Sequence, residues 1–332
     1  MNFPTSDSPR IAVLYGGVGS ERSVSLISGK AVLDAMGEGF PYEVVGMEVL
    51  HAALPDGLDP RRDVVLLVLH GEFGEDGQVQ QLLEAAGVHY AGCNARSSAL
   101  CMDKAATKQC LQDAGVPVVD GCVLHSGTSY TADVDQWIAQ YGTELIVKPL
   151  AMGSSVGLCE ISGVEALRNW LEQPECSQHS WVLERRIRGR EFSVAVLNGH
   201  AMGIVEIAVP EGRIYDFEQK YHRADTQYVC PADLNGAHTH QLRRLAEQAF
   251  GACGCRDYAR VDFLYETQTD QFYALEMNTL PGMTPSSLMP KSASALGYSF
   301  NVLLRQMIAP AVVRFREQKP VGHVTEKPEI RT

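Results

Sequence analysis

The feature that most constrains the fold is a pair of short apolar segments whose side chains alternate with period two. The segments cover residues 258–265 and 272–277, and the polar residues 266–271 separate them. Period-two alternation is typical of strands, and a short polar connection between two strands is typical of a hairpin. The sequence therefore predicts two paired antiparallel strands in this part of the chain.

This predicted hairpin carries charged and amide side chains that can meet on one face. Arg260 and Asp262 share a face of the first strand. Glu276 and Asn278 share a face of the second strand. If the two faces coincide, two carboxylates and an amide oxygen lie beside one guanidinium group, and such oxygen ligands suit Mg²⁺. A surface hairpin with a salt-bridged edge is the structural alternative.

Composition limits the partners that this chain can have. Its 332 residues are enough for two or three domains. The formal net charge of -12 argues against nucleic acid or an anionic membrane as a partner, so an anionic substrate needs a local cluster of Lys and Arg. The cysteines form no Cys-x-x-Cys pair, which favours reduced thiols and a cytoplasmic location. Residues 1–10 lack the apolar core of a signal peptide, and no apolar run reaches membrane-spanning length.

The N-terminal part of the chain alternates apolar strands with helical patterns, which predicts a parallel α/β unit. The first strand ends at the glycine-rich residues 16–20, and a helix follows with an apolar face that is formed by Val24, Ile27, Val32 and Leu33. A strand, a glycine-rich turn and a helix N-terminus together favour an anionic or dipolar ligand. A dinucleotide-binding turn is the alternative, although the third glycine of that fingerprint is missing.

A second glycine-rich loop, residues 70–77, follows another strand of this unit. Three glycines and three acidic residues at the end of a strand place the loop on the edge where such sheets bind ligands. A plain connection into a helix with an acidic first turn is the alternative. His70 at the start of the loop either contacts a substrate or orients the loop.

The middle of the chain predicts one helix from residue 94 to residue 114, a small flexible loop and a long irregular segment. The loop, residues 152–157, is rich in glycine and serine, and Lys148 lies just before it, so it either cradles a phosphate or is a hairpin turn. Residues 214–233 show no clear periodicity, which is typical of a lid or binding loop. We expect the tail, residues 318–332, to be disordered.

Several of these segments together resemble D-alanine–D-alanine ligases of the ATP-grasp superfamily. The resemblance covers residues 10–316. It rests on eight motifs in order: Gly16-Gly17 with Ser20-Glu21-Arg22-Ser23-Val24-Ser25; His70-Gly71 with Gly74-Glu75-Asp76-Gly77; Met102-Asp103-Lys104; Lys148-Pro149; Gly153-Ser154-Ser155-Val156-Gly157; Lys220-Tyr221; Arg260-Val261-Asp262; and Glu276-Met277-Asn278-Thr279-Leu280-Pro281-Gly282-Met283.

The resemblance implies an α/β (α+β) ATP-grasp fold with three domains that clamp ATP between the second and the third. We expect an N-terminal parallel α/β domain at residues 1–93, a central subdomain at 94–183 and a C-terminal subdomain at 184–317, with residues 214–233 as its lid. Ligases of this family phosphorylate the carboxylate of one D-alanine with ATP. The amine of a second D-alanine then attacks the acyl phosphate, which gives D-alanyl-D-alanine for cell-wall precursors.

The resemblance also implies residues that contact ATP and metal. The ATP-contacting residues are Lys104, Lys148, Ser154, Ser155, Glu184, Arg185, Ile187, Glu191 and Lys220. The lysines would meet phosphate oxygens, residues 184–187 would hold adenine, and Glu191 would bind the ribose. The ligands of two Mg²⁺ ions, for which Mn²⁺ is an alternative, are Asp262, Glu276 and Asn278. Arg185, Arg186 and Met152 depart from the usual family pattern near the nucleotide.

For D-alanine, the resemblance implies substrate-binding residues and catalytic residues. The substrate-binding residues are Glu21, His70, Arg260, Gly282, Ser287 and Leu288. The catalytic residues are Glu21, Ser154, Tyr221, Arg260, Gly282 and Ser287. Arg260 and the N–H of Gly282 would form an oxyanion hole. Tyr221 favours an amine over D-lactate as the nucleophile, because related depsipeptide ligases usually lack the Lys-Tyr pair.

Three other functions remain open on the sequence alone. An ATP-grasp ligase from secondary metabolism would use another amino acid or D-lactate as the acceptor. A nucleotide-binding module without chemistry would not need Arg260 as an oxyanion donor. An oxidoreductase would use the glycine-rich turn at residues 16–20. We also expect a homodimer.

Overall fold

The computed structural model describes residues 8–37, 39–153, 156–210, 215 and 225–317. Several sequence predictions fall outside these residues and are not addressed by the fold. They concern Ser154, Ser155, Lys220, Tyr221, half of the lid at residues 214–233, and the tail at residues 318–332.

The N-terminal part of the chain forms a four-stranded parallel sheet, as the alternating pattern predicts. Its strands are β1 (Arg10–Gly16), β2 (Val44–Val49), β3 (Asp63–Leu67) and β4 (His89–Ala91), and its helices are α1 (Arg22–Ala35) and α2 (Gln78–Ala85). The spatial order is β2-β1-β3-β4, with all neighbours parallel. Because β1 and β3 are parallel, the loops that follow them, which begin at residues 16 and 68, emerge at the same edge.

The buried face of α1 differs from the predicted one. Ser25, Ser28, Gly29 and Val32 are buried, whereas Ile27 is 63% exposed. A Cβ atom on Gly29 would lie 2.5 Å from the side chain of Tyr15 on β1, so the helix approaches the sheet through small residues. The predicted apolar face is confirmed at Val32 and Leu33, which belong to or pack against a buried cluster, and is wrong at Ile27. Close approach of helix and strand selects for small size at Gly29 rather than for hydrophobicity.

The single helix predicted from residue 94 to residue 114 is broken into α3 (Ala95–Met102) and α4 (Lys104–Asp113). The Asp103 backbone is extended, and its carboxylate accepts hydrogen bonds from the N–H groups of Ala105 and Ala106, each at 2.9 Å. An aspartate that caps the second helix in this way ends the first one. The break places Lys104 at the first position of α4.

A four-stranded antiparallel sheet follows in the order β5-β8-β6-β7. Its strands are β5 (Gly121–Leu124), β6 (Glu144–Pro149), β7 (Cys159–Ser162) and β8 (Trp181–Arg185). Its helices are α5 (Val134–Tyr141), α6 (Val164–Leu171) and α7 (Pro174–Gln178). Trp137, Leu167 and Trp181 belong to one buried cluster, which joins the first two of these helices to the sheet.

The C-terminal sheet has five antiparallel strands in the order β11-β10-β9-β12-β13. Its strands are β9 (Gly189–Leu197), β10 (His200–Ala208), β11 (Gln227–Val229), β12 (Tyr258–Glu266) and β13 (Gln271–Asn278), and α8 (Gly236–Ala252) and α9 (Leu288–Ser294) pack against it. The predicted hairpin of β12 and β13 is confirmed. Helices α3 and α4 also contact this sheet, since Cys101 and Leu111 share a buried cluster with Phe263.

The last helix, α10 (Phe300–Glu317), returns to the N-terminal sheet and contacts β4. None of the described helices is long and apolar enough to cross a membrane. The three sheets use residues 10–91, 121–185 and 189–278. The domain boundaries at residues 93, 183 and 317 stay predictions.

An ion pair fastens α10 to the start of β12. Arg314 donates to the carboxylate of Asp257 at 2.8 and 2.5 Å, and Asp257 is 6% exposed. We expect Arg314→Met to lower the free energy of unfolding by roughly 2–4 kcal/mol, because it leaves a buried carboxylate with one partner fewer. Arg62→Met, which breaks an exposed pair with Glu43, serves as the control and should cost less than about 1 kcal/mol. Urea denaturation measures both, and equal losses would contradict the expectation.

Candidate active site

Two cavities lie beside the C-terminal sheet, and the first opens between this sheet and the central one. Its apolar walls come from both sheets and the loops near them, and its polar lining includes cationic and anionic groups. The apolar residues are Val119, Ile146, Pro149, Met152, Val156, Leu158, Ile187, Leu264 and Leu275. The polar residues are Lys104, Lys148, Glu184, Arg185, Arg186, Glu191, Tyr215, Asp262 and Glu276. The cavity brings together the described members of the predicted ATP-contacting set. Its apolar walls with polar groups between them are typical of a small-molecule site.

Glu184 lies at the base of this first cavity between two lysines. Its Oε2 atom lies 2.8 Å from the ammonium of Lys148, and its Oε1 atom lies 2.6 Å from the ammonium of Lys108. Burial alone would raise the pKa of Glu184, but Lys148 and Lys108 outweigh it and hold this pKa below its usual value. Glu184 is therefore a buried carboxylate with a cation on each oxygen.

The two arginines that depart from the family pattern do not add unpaired charge to the cavity. Arg185 contacts both carboxylate oxygens of Glu266 at 2.6 and 3.1 Å, and its guanidinium stacks 5.0 Å from the ring centre of Tyr273. Arg186 lies 2.5 Å from the carboxylate of Glu160. Carboxylates on neighbouring strands and turns therefore compensate both cations.

The second cavity lies between the N-terminal and C-terminal sheets and is more polar. Its lining residues are Glu21, Val24, Ile27, His70, Glu75, Tyr215, Thr226, Tyr228, Arg260, Glu276, Asn278, Gly282, Thr284, Ser286, Ser287 and Leu288. It contains every residue that the sequence predicts for D-alanine binding. Ile27 and Val24, which α1 does not bury against its sheet, form part of this wall.

The two cavities meet at Glu276 and Tyr215, which line both. Tyr215 shares a hydrogen bond with Tyr228, with the two hydroxyl oxygens 2.9 Å apart. Gly153 lies beside the second cavity, because a Cβ atom on Gly153 would lie 3.6 Å from the Glu21 carboxylate. A molecule in the first cavity can therefore react with one in the second.

The register of β12 and β13 puts the charged side chains of the hairpin at this junction. Arg260 lies opposite Asn278, Asp262 lies opposite Glu276, and the register shifts after Asp262. Arg260 donates to both oxygens of Asp262, at 2.9 Å from Nε and 2.8 Å from Nη2. Burial opposes the charge of Arg260, but Asp262 more than offsets this and raises the pKa of Arg260.

Oxygen ligands at the junction match the chemistry of a hard cation. The Oδ1 atom of Asn278 is buried and has no hydrogen-bond partner. A buried amide oxygen without a partner needs an explanation, and a cation would supply it. Asp262 is already engaged by Arg260, and the hydroxyl of Ser193 donates to it at 2.6 Å. Within the described ranges no three His, Cys, Asp or Glu side chains converge on one point.

In the loop between β13 and α9, Gly282 lies against Ser287. A Cβ atom on Gly282 would lie 2.9 Å from the hydroxyl oxygen of Ser287, so this position favours glycine. The N–H of Thr284 donates to the same hydroxyl at 3.1 Å, and Ser287 precedes α9. Gly282, Thr284 and Ser287 line the second cavity, as Arg260 does.

Sequence reasoning missed three residues of the site: Glu75, Lys108 and Tyr215. Glu75 was visible only as one acid of a glycine-rich loop. Lys108 lies one helical turn after Lys104 on α4. This spacing does not reveal that Lys108 contacts Glu184 on β8. Tyr215 lies in the irregular segment, where no periodicity assigns a direction to its side chain.

Glu75 is a carboxylate that is 14% exposed and lies beside His70, with 3.4 Å between its Oε1 and the imidazole Nδ1. Burial raises the pKa of Glu75, and His70 offsets this only in part. The folded state therefore binds this proton more tightly than the unfolded chain does. Stability should fall as pH rises through the raised pKa.

We expect Glu75→Gln to raise the thermal midpoint at about pH 8, because it removes the buried charge, and to lose this advantage near about pH 4. Thermal unfolding across this range measures the effect. Glu72→Gln, at an exposed position of the same loop, is the control and should change the midpoint little. If the thermal midpoint of the Glu75→Gln variant is at or below that of the unmodified protein at every pH, the interpretation is refuted.

Comparisons with known proteins identify relatives of this chain. The family model for the D-ala D-ala ligase C-terminus matches residues 110–309, and the model for the D-ala D-ala ligase N-terminus matches residues 48–93. A D-alanine–D-alanine ligase of Actinobacillus succinogenes is 37% identical over 304 residues, which are 91% of this chain and 98% of that protein.

Solved structures show the same likeness. The D-alanine–D-alanine ligase of Bacillus anthracis complexed with ATP has a TM-score of 0.78 and 30% identity, over 93% of this chain and 99% of that one. The VanG D-Ala:D-Ser ligase of Enterococcus faecalis has a TM-score of 0.78 and 25% identity, over 92% and 99%. The chain therefore belongs to the D-alanine–D-alanine ligase family and has the ATP-grasp fold.

Proposed function

We propose that this protein joins two D-alanine molecules to D-alanyl-D-alanine at the cost of one ATP, which yields ADP and phosphate. The observation that carries the proposal is the meeting of the two cavities at Glu276 and Tyr215. A nucleotide in the first cavity would direct its terminal phosphate toward a carboxylate in the second. Membership of the ligase family supports the same reaction.

ATP occupies the first cavity in this proposal. The apolar walls around Ile187 take the adenine, and Glu184 accepts a hydrogen bond from its amino group. Glu191 binds the ribose. Lys104 and Lys148 meet the phosphates, together with Ser154, Ser155 and Lys220, which lie outside the described residues. Local lysines thus supply the positive charge that the overall charge of -12 does not.

Divalent cations would lie between the phosphates and the hairpin. Asp262, Glu276 and Asn278 are the ligands that we propose, and Mg²⁺ is the ion that their oxygens suit best, with Mn²⁺ as an alternative. The buried Asn278 Oδ1 atom without a partner supports this assignment. A bound cation would neutralise charge on the phosphates during transfer.

The first D-alanine lies in the second cavity with its ammonium group on Glu21 and close to His70. One of its carboxylate oxygens attacks the terminal phosphorus of ATP, the bond from that phosphorus to the bridging oxygen breaks, and ADP leaves. Arg260 binds the carboxylate and later the tetrahedral oxyanion, together with the N–H of Gly282. Ser154 and Tyr221 would connect Glu21 to the lid.

The second D-alanine binds beside Ser287 and Leu288, which receive its carboxylate. Its unprotonated amine nitrogen attacks the acyl carbon, a proton passes from the nitrogen to the departing phosphate, and the carbon–oxygen bond to phosphate breaks. Since water would also attack the acyl phosphate, the reaction needs a cavity that closes against water. We also propose that the protein is cytoplasmic and acts as a homodimer.

The direct experiment incubates the purified protein with D-alanine, ATP and Mg²⁺ and measures dipeptide, ADP and phosphate. We expect the three products in equal amounts, and an absence of dipeptide at saturating D-alanine would refute the proposal. Glu276→Gln should lower kcat by about 10²–10³-fold, a loss typical of one group that stabilises transition-state charge. Glu165→Gln, at an exposed position of α6, should leave kcat unchanged.

The acceptor is tested with a panel of D-alanine, D-serine and D-lactate, each offered in excess over a limiting supply of labelled D-alanine. D-Serine belongs in the panel because a structural neighbour is named a D-Ala:D-Ser ligase. We expect D-alanine to dominate, and Tyr221→Phe to raise the share of the D-lactate ester. Mass spectrometry of the products measures both. A predominant ester from the unmodified protein would show that the Lys-Tyr pair does not select an amine.

A further inference from the structure

Lys108 is a cation of the site that no part of the proposed reaction uses. It lies on α4, and its ammonium is 2.6 Å from Glu184 Oε1. The residues that line the nucleotide cavity do not include Lys108, which instead lines a neighbouring cleft with Gln112, Val123 and Tyr141. A contact with ATP would therefore have to run through another side chain.

That side chain is Glu184, which joins Lys108 to Lys148. Both lysines lie within hydrogen-bond distance of Glu184, one on each oxygen, and their side chains are only 14% and 11% exposed. With Lys148 alone, a buried Glu184 would form a neutral pair, and the charge of Lys148 would be cancelled by its partner. With Lys108 present, the three groups carry one net positive charge beside the cavity.

We propose that Lys108 is a positioning residue that compensates Glu184 and thereby leaves the charge of Lys148 available to the phosphates of a nucleoside triphosphate. This inference rests on the proposed function, because it assigns ATP to the cavity that Lys148 lines. Glu184 can carry out this bridging and still accept a hydrogen bond from a base, since a carboxylate has about four acceptor positions and the lysines use two.

The alternative is that Lys108 only stabilises the fold by pairing a buried carboxylate. The two roles differ in what happens when Glu184 is made neutral. If Lys108 acts by compensating the charge of Glu184, its removal should matter little once that charge is gone. If Lys108 only stabilises the fold, its removal should lower the thermal midpoint and leave the Kd for ATP nearly unchanged in both backgrounds.

A double-mutant cycle separates these roles. Lys108→Met, Glu184→Gln and the double variant are compared by titration calorimetry of ATP with Mg²⁺ and by steady-state kinetics. We expect Lys108→Met alone to raise the Kd and KM for ATP roughly tenfold, with the KM for D-alanine unchanged within about twofold. In the Glu184→Gln background the same change should raise the Kd for ATP by less than about threefold.

Control variants separate the loss of the Lys108 charge from a loss of folding. Lys108→Arg retains the charge and should restore ATP binding to within about threefold of the unmodified protein. Lys30→Met removes a lysine that is exposed on α1 and should change no ATP parameter. Thermal midpoints identify loss of folding, and Lys108→Gln replaces Lys108→Met if the latter does not fold.

If Lys108→Met changes the Kd for ATP by the same factor with Glu184 and with Glu184→Gln, the inference is overturned. Lys108 would then have a stabilising role only. A protein that binds ATP but makes no dipeptide would refute the proposed reaction, and the calorimetric cycle would still decide the role of Lys108. A protein that does not bind ATP would overturn both.

Discussion

The antiparallel register between β12 and β13 is the constraint on which the whole site depends. It sets Arg260 across from Asn278 and Asp262 across from Glu276. A slip of one residue would turn these side chains to the opposite face of the sheet, where α3, α4 and α8 pack. The hairpin is held on its other side by β9, and Ser193 on that strand donates to Asp262. The register is therefore enforced by a neighbour as well as by the turn.

Charge compensation by short-range pairs allows a strongly acidic chain to present cations to a ligand. Glu184 is shared by two lysines, and Asp262 is held by Arg260. Arg185 and Arg186 are paired with the carboxylates of Glu266 and Glu160. Buried pairs keep their interaction at physiological salt better than exposed pairs do. The site thus depends on the sign of a few buried groups rather than on the net charge of the molecule.

Much of this arrangement could be predicted from the sequence, and the rest has physical reasons for being hidden. The hairpin and the N-terminal parallel sheet follow from the periodicity of apolar residues, which is local. The buried face of α1 could not be predicted, because the approach of Gly29 to Tyr15 is set by two elements together. The break at Asp103 could have been predicted, since an aspartate that caps the next helix is a local signal.

The site residues also form two groups, one that the sequence predicts and one that it does not. Residues within motifs, such as Arg260 and Glu276, are predicted by the hairpin pattern and by the family resemblance, and both line the second cavity. Lys108 and Tyr215 were missed because their roles come from contacts between distant segments. Long-range contacts of this kind leave no trace in a single sequence.

The central claim is that a nucleotide phosphate in one cavity is transferred to a carboxylate in the other. Incubating the protein with D-alanine labelled with ¹⁸O in its carboxylate, ATP and Mg²⁺, followed by mass spectrometry of the released phosphate, tests this most directly. We expect one labelled oxygen in each phosphate. The carboxylate oxygen that attacks phosphorus remains bonded to phosphorus when the amine displaces phosphate. Dipeptide formation with unlabelled phosphate would contradict it.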